Sequence, residues 1–86
     1  MTLKGKTTSG FKYEIDEGRL TNYELVEALA EEGENPLAMV KIVKLLLGDQ
    51  TEKLKEHVRD EKGFVSIEKI GQEIKEIFES HKQVKN

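Results

Sequence analysis

Hydrophobic and polar residues are sorted along this chain into blocks of different period. Phe11, Tyr13 and Ile15 alternate with Lys12 and Glu14, the period-two pattern of a strand with one buried face. Residues 2–6 can pair back on this strand through a Thr8-Ser9-Gly10 turn. A single strand or an extended arm is the alternative, because a lone two-stranded hairpin is marginal in water and must pack on something. Asp16-Glu17-Gly18 breaks the strand. Thr21 and Glu24 then stand at capping-box spacing and predict a helix over 22–33. Its apolar face is Leu25, Val26 and Leu29, with Tyr23 and Ala30 beside it, and Gly33 is its stop.

Asn35-Pro36 predicts the next start, since Asn caps and Pro at the first helical position gives up an amide that has no partner there. The helix over 36–47 ends at Gly48. From Leu37 to Leu47 only Lys41 and Lys44 are polar, so nine of eleven positions are apolar. A third helix, over 50–60, follows the capping-box pair Asp49 and Glu52; Leu54 and Val58 are its only large apolar residues. Asp60-Glu61-Lys62-Gly63 reads as a turn and Ser66 as a cap. Val65 and Ile70 hold the positions of a hydrophobic staple. The last helix, over 66–81, carries Ile67, Ile70, Ile74, Ile77 and Phe78 at helical spacing. Gly71 lies on that apolar side. A mid-helix glycine is unfavourable by about 1 kcal/mol relative to Ala, so another backbone is expected to approach it. Residues 82–86 read as a frayed tail.

These elements make one domain over residues 1–86: a mostly α, small bundle of about four helices, with a short β-strand or hairpin in residues 1–16. Composition narrows the picture. At 86 residues the chain is too short for a Rossmann unit with a substrate domain, a TIM barrel or a kinase. It has no cysteine, which excludes disulfides, thiolate metal sites and cysteine catalysis. The apolar core alone must hold the fold. Fourteen basic against 17 acidic residues give a net charge of -3, without the basic excess of nucleic-acid domains. No run approaches the ~20 apolar residues of a bilayer span, and residues 1–6 lack a signal-peptide apolar region. A cytosolic location, with no membrane and no nucleic acid as partner, is the expectation.

Candidate chemistry is sparse. His57 and His81 are the only histidines and lack two-His metal spacing; both read as surface or rim residues. No G-x-S-x-G and no Gly-rich phosphate loop is present. The carboxylates lie on polar helix faces, whereas acid–base catalysis needs a perturbed pair in a cleft. The segment from Asp60 to Ser66 is similar to part of a calcium loop. Aligning Gly63 with the invariant glycine, however, puts Val58, Lys62 and Lys69 at three ligand positions. No catalytic residue, metal or cofactor is therefore expected, and the chain is read as not an enzyme. The block from Glu24 to Glu34 holds five glutamates and no basic residue; it reads as a solvated face, as a dock for a basic segment or as a nucleic-acid mimic. Lys53, Lys55 and Arg59 intermix with Glu52 and Glu56, which makes surface pairs and not a phosphate track.

The helix over 37–47 carries the most information. Three short helices and a hairpin have little apolar surface to cover it. Part of Met39, Ile42, Val43 and Leu46 is expected to stay available to another subunit or a bound helix, and a fully buried central helix is the competing expectation. Met suits varied partners because it is adaptable.

The order of pieces carries a resemblance. Gly10-Phe11-Lys12-Tyr13-Glu14-Ile15-Asp16 leads into Tyr23-Glu24-Leu25-Val26-Glu27-Ala28-Leu29. Glu34-Asn35-Pro36-Leu37, Leu45-Leu46-Leu47-Gly48 and Leu54-Lys55-Glu56-His57-Val58-Arg59-Asp60 follow. Gly63 and Val65 precede the closing Glu73-Ile74 and Ile77-Phe78-Glu79. Over roughly residues 10–80 this resembles the small tail assembly chaperones of long-tailed phages and prophages of Gram-positive bacteria. The resemblance implies a non-enzymatic role: binding the tape measure protein, keeping it in solution and helping recruit tail tube subunits. It also implies action in the host cytoplasm and absence from the mature virion. It leaves self-association open and carries over no site residue.

Rival readings predict different behaviour. A structural or connector subunit predicts a defined oligomer present in virions. An acidic regulator of a DNA-binding protein predicts salt-dependent binding. A helix-turn-helix DNA binder needs a base-reading helix, which no segment supplies.

Overall fold

The computed structural model describes residues 2–33, 35 and 37–81. Two strands, β1 (Thr2–Lys6) and β2 (Lys12–Asp16), precede a single helical turn, α1 (Glu17–Leu20). Helices α2 (Tyr23–Glu32) and α3 (Ala38–Leu47) follow. A 3-10 turn (Gly48–Gln50) leads into α4 (Thr51–Val58), and α5 (Ile67–Ser80) closes the fold. The mostly helical bundle with an N-terminal hairpin is thus as the periodicity predicts. Residues 82–86, read as a tail, and Pro36 lie outside the described residues.

The hairpin forms because one of its faces can be buried. Phe11, Tyr13 and Ile15 are buried, and Lys12 and Glu14 between them are exposed. β1 runs antiparallel to β2 with Leu3 opposite Ile15 and Gly5 opposite Tyr13. The turn closes through Thr7 N–H donating to the Phe11 carbonyl and Gly10 N–H to the Thr7 carbonyl, both at 2.9 Å. Gly10 sits there at φ 101°, a conformation that favours glycine.

Polar bonds clamp the turn onto the bundle. Thr8 N–H and Thr8 Oγ1–H donate to the two oxygens of the Glu76 carboxylate, each at 2.8 Å. The backbone N–H first, and the hydroxyl second, hold the Glu76 carboxyl below its ordinary value. A depressed carboxyl contributes its stabilisation above the ordinary carboxylate range and loses it as pH falls through the folded value. The Thr8 amide proton should therefore move upfield in NMR spectra as acid protonates Glu76, at a pH below the ordinary carboxylate range. Glu76→Gln should flatten that titration.

The core lies between the hairpin and α2 to α5. Ile15, Leu25, Ile42, Leu46, Leu47, Leu54 and Ile77 are its fully buried side chains. α2 meets α3 through Leu25 and Ala28 at i and i+3. Val26 and Leu29, predicted on the buried face, are exposed instead. The buried line is centred one residue away from the apolar centre of the sequence pattern. α5 buries Ile70, Ile74 and Ile77. Ile67, predicted to be buried with them, is 50% exposed because it opens the helix beyond the end of the core.

Helix starts differ in detail from the spacing rules. Asn22, not Thr21, caps α2, its Oδ1 accepting from Glu24 N–H at 3.0 Å. Thr21 is the C-cap of α1 and cannot serve both ends. Asp49 does not cap α4, because it already lies inside the 3-10 turn that runs on into Thr51. Asn35 does act at the start of α3, its Oδ1 accepting from Leu37 N–H at 3.1 Å. Gly48 ends α3 at φ 54°, and Arg19 Nη1 donates to the Leu45 carbonyl at 2.8 Å. That bond satisfies one of the carbonyls that a helix end leaves open.

Candidate partner-docking site

The four residues expected to meet a partner are mostly inside the molecule. Ile42 and Leu46 are 0% exposed and Val43 is 5% exposed; only Met39 is half-buried. This corrects the expectation that Ile42, Val43 and Leu46 stay available. The hairpin supplies Phe11, Tyr13 and Ile15 to one core with them, which is more cover than α4 alone could give. The apolar excess of the helix is real but sits elsewhere, on Leu37 and Val40, 73% and 55% exposed.

Two shallow grooves flank Met39. One, of about 340 Å³, is floored by Met39, Val40 and Val43 of α3 and by Val65, Ile67 and Ile70. The other, of about 850 Å³, runs past Leu20, Leu29, Gly71, Ile74 and Phe78. Met39 lines both, so the two make one apolar band across α3 and α5. The rims differ in charge. Lys44 and Lys55, with Glu52, border the first groove. Glu32, Glu68 and Glu79, with Lys75 and His81, border the second. An amphipathic helix laid along the band would bury its apolar stripe. Its N-terminal end would lie over the glutamates and its C-terminal end over the lysines, as the helix dipole favours.

Gly71 is part of this band. The expectation of a backbone close to it is not met: a Cβ built there would find the Met39 methyl at 3.8 Å, an ordinary contact. Gly71→Ala should therefore stabilise the protein by about 1 kcal/mol, read from the denaturation midpoint, while leaving the rest of the floor in place.

The fold also assembles a serine, a histidine and a glutamate distant in sequence. Ser9 Oγ–H donates to Glu73 Oε2 at 2.6 Å, and Ser9 Oγ lies 3.0 Å from His57 Nε2. The arrangement is not that of a nucleophile with its base. The single hydroxyl proton is given to the carboxylate, so His57 Nε2 can only donate to Oγ. Catalysis would need the imidazole to accept that proton and the carboxylate to orient the far ring nitrogen. The cluster instead ties the turn to α4 and α5, with Phe11 packing against His57 at 5.5 Å between ring centroids. His81 ties β2 to the C-terminal end of α5, its Nε2 lying 2.9 Å from the Tyr13 hydroxyl. Burial pushes the Tyr13 phenol up. Glu73 Oε1 is buried without a hydrogen-bond partner among the described residues.

Asp60 Oδ1 accepts from the N–H groups of Lys62 and Phe64, both at 2.9 Å, and so organises an interhelical turn. Among the described residues no three His, Asp or Glu side chains group as a metal site requires. No helix among them is long and apolar enough to cross a membrane. Glu24, Glu27 and Glu31 are exposed along α2. No family model, curated protein or solved structure matches this chain.

Sequence reasoning missed Val40, Leu37, Leu29, Ile67 and Phe78 as lining or flanking residues. A signal was present. Lys41 and Lys44 mark the solvent side of α3, and Leu37 and Val40 stand four residues before them on the same side. The lysines thus point to which apolar residues are left outside.

Proposed function

We propose that this protein is a non-enzymatic phage tail assembly chaperone, which binds the tape measure protein and helps recruit tail tube subunits in the host cytoplasm. The resemblance over residues 10–80 supplies the family, and the apolar band through Met39 is the observation that supports the activity. A tape measure protein presents long amphipathic helices before the tube encloses it. A small domain with an apolar band and an acidic surface can cover such a helix without linking one rod to the next. Many copies along one rod gain by avidity, so each contact can be modest.

The contact assigned here is the band of Met39, Val40, Ile67 and Phe78, in place of the buried Ile42, Val43 and Leu46. Val40→Glu and Ile67→Lys alter exposed side chains and should fold with an unchanged melting temperature. Each should weaken binding to a co-expressed tape measure fragment by about tenfold or more, as expected for a central apolar contact made charged. Normally folded variants that co-purify with the fragment as well as the parent does would refute the reading.

A further inference from the structure

We propose that the outer edge of β1 docks an extended segment of another protein, added as a third strand with acidic side chains at alternate positions. The two edges of the hairpin are treated differently. On β2, Gln50 closes the edge: its Oε1 accepts from Glu14 N–H at 2.8 Å and its Nε2 donates to the Glu14 carbonyl. One side-chain amide thus stands in for a neighbouring strand. Among the described residues β1 pairs only with β2, and none of them does for it what Gln50 does for Glu14.

The pairing sets which groups are free. Thr7 and Phe11 form a hydrogen-bonded pair at the turn. By alternation, Gly5–Tyr13 and Leu3–Ile15 are hydrogen-bonded pairs as well. The N–H and C=O of Lys4 and Lys6 therefore point away from β2, as those of Glu14 do on the far side. Two complete donor–acceptor sets are presented on one edge.

Charge selects the occupant. Lys6 lies directly opposite Lys12, in the non-hydrogen-bonded type of pair where side chains stand closest. Like charges so placed are destabilising, and no salt bridge among the described residues relieves either one. Lys4 faces Glu14 and is compensated in part. A third strand would bring new side chains beside Lys4 and Lys6, and carboxylates there would relieve the repulsion. A second copy of this chain fits badly, since antiparallel β1 against β1 sets lysines against lysines. Edge lysines commonly keep like strands apart; here the same charges leave the edge open to an acidic strand.

The test uses a short capped peptide of alternating glutamate and valine, titrated into the isotope-labelled full chain. The Lys4 and Lys6 amides should shift and gain protection from solvent exchange. A peptide of alternating lysine and valine should leave them unchanged. Methylating the peptide nitrogens that face β1 should abolish binding while keeping the charge. Lys6→Glu turns a repulsive pair into an attractive one, so it should fold at least as well as the parent yet bind the peptide about tenfold more weakly. Undiminished binding by Lys6→Glu, equal binding of the methylated peptide, or unmoved Lys4 and Lys6 amides would overturn the proposal. So would dimerisation of the free protein through those amides. Val40→Glu should leave this binding intact, which separates the edge from the apolar band.

Discussion

Leu46→Ala should cost roughly 3–5 kcal/mol of folding stability, the range for a leucine truncated where surrounding side chains cannot collapse into the space. Leu46 is 0% exposed and sits among Ile15, Leu25, Ile42 and Ile77, themselves fully or almost fully buried. It belongs to the one core that joins the hairpin to four helices. A domain this size commonly has only about 4–13 kcal/mol in total, so at least about a quarter of the stability depends on one side chain. Chemical denaturation should show a lower midpoint with an unchanged slope. Ile42→Ala should behave alike, whereas Val40→Ala, on the same helix but 55% exposed, should stay within about 0.5 kcal/mol. Equal losses at Leu46 and Val40 would show that α3 does not pack as described. The contrast also protects any binding experiment: a charged residue at Ile42 or Leu46 would remove binding by unfolding the protein.

Most of the architecture was legible because period and punctuation agree. The alternation from Phe11 to Ile15 could bury only one face, and Asp16-Glu17-Gly18 had to end it. Gly48 and Ser66 bound helices where their conformational or capping preferences say they should. Faces were less legible than elements. Leu25 and Leu29 share a helical stripe, yet one is fully buried and the other 38% exposed, because burial depends on where α3 lies against α2. The same uncertainty displaced the candidate site. Residues 37–47 hold more apolar side chains than one helix face can carry, which the composition of the segment reveals. Which of them face out depends on the elements packed around the helix: the hairpin, α2, α4 and α5 share one core with Ile42, Val43 and Leu46. The clamp formed by Thr8, Ser9, His57, Glu73 and Glu76 was not legible at all. Its hydrogen-bonded partners lie 48 to 68 residues apart, and no local pattern links a turn serine to a carboxylate on the last helix.

Gly5→Ala should cost about 1–3 kcal/mol, the usual penalty for adding an atom to a packed site. A Cβ at position 5 would fall on the Tyr13 hydroxyl and lie 2.6 Å from Tyr13 Cζ. The ring cannot readily move aside. It is 3% exposed, lies 6.5 Å from the Phe11 ring, meets the His81 ring edge-on at 5.7 Å, and is bonded through its hydroxyl to His81. Gly5 faces Tyr13 directly across the ladder, so the aromatic ring fills the space that the missing side chain leaves. A double-mutant cycle isolates this cause. Tyr13→Ala alone should be costly, since it removes a buried aromatic. In that background the packing penalty of Gly5→Ala should vanish, leaving a coupling of about 1–3 kcal/mol between the two positions. Tyr13→Phe should not relieve the clash, because Cζ stays in place, and it gives up the His81 hydrogen bond for about 1 kcal/mol more. If Gly5→Ala cost the same with and without the Tyr13 ring, the glycine would be required for its backbone, and the packing explanation would fail.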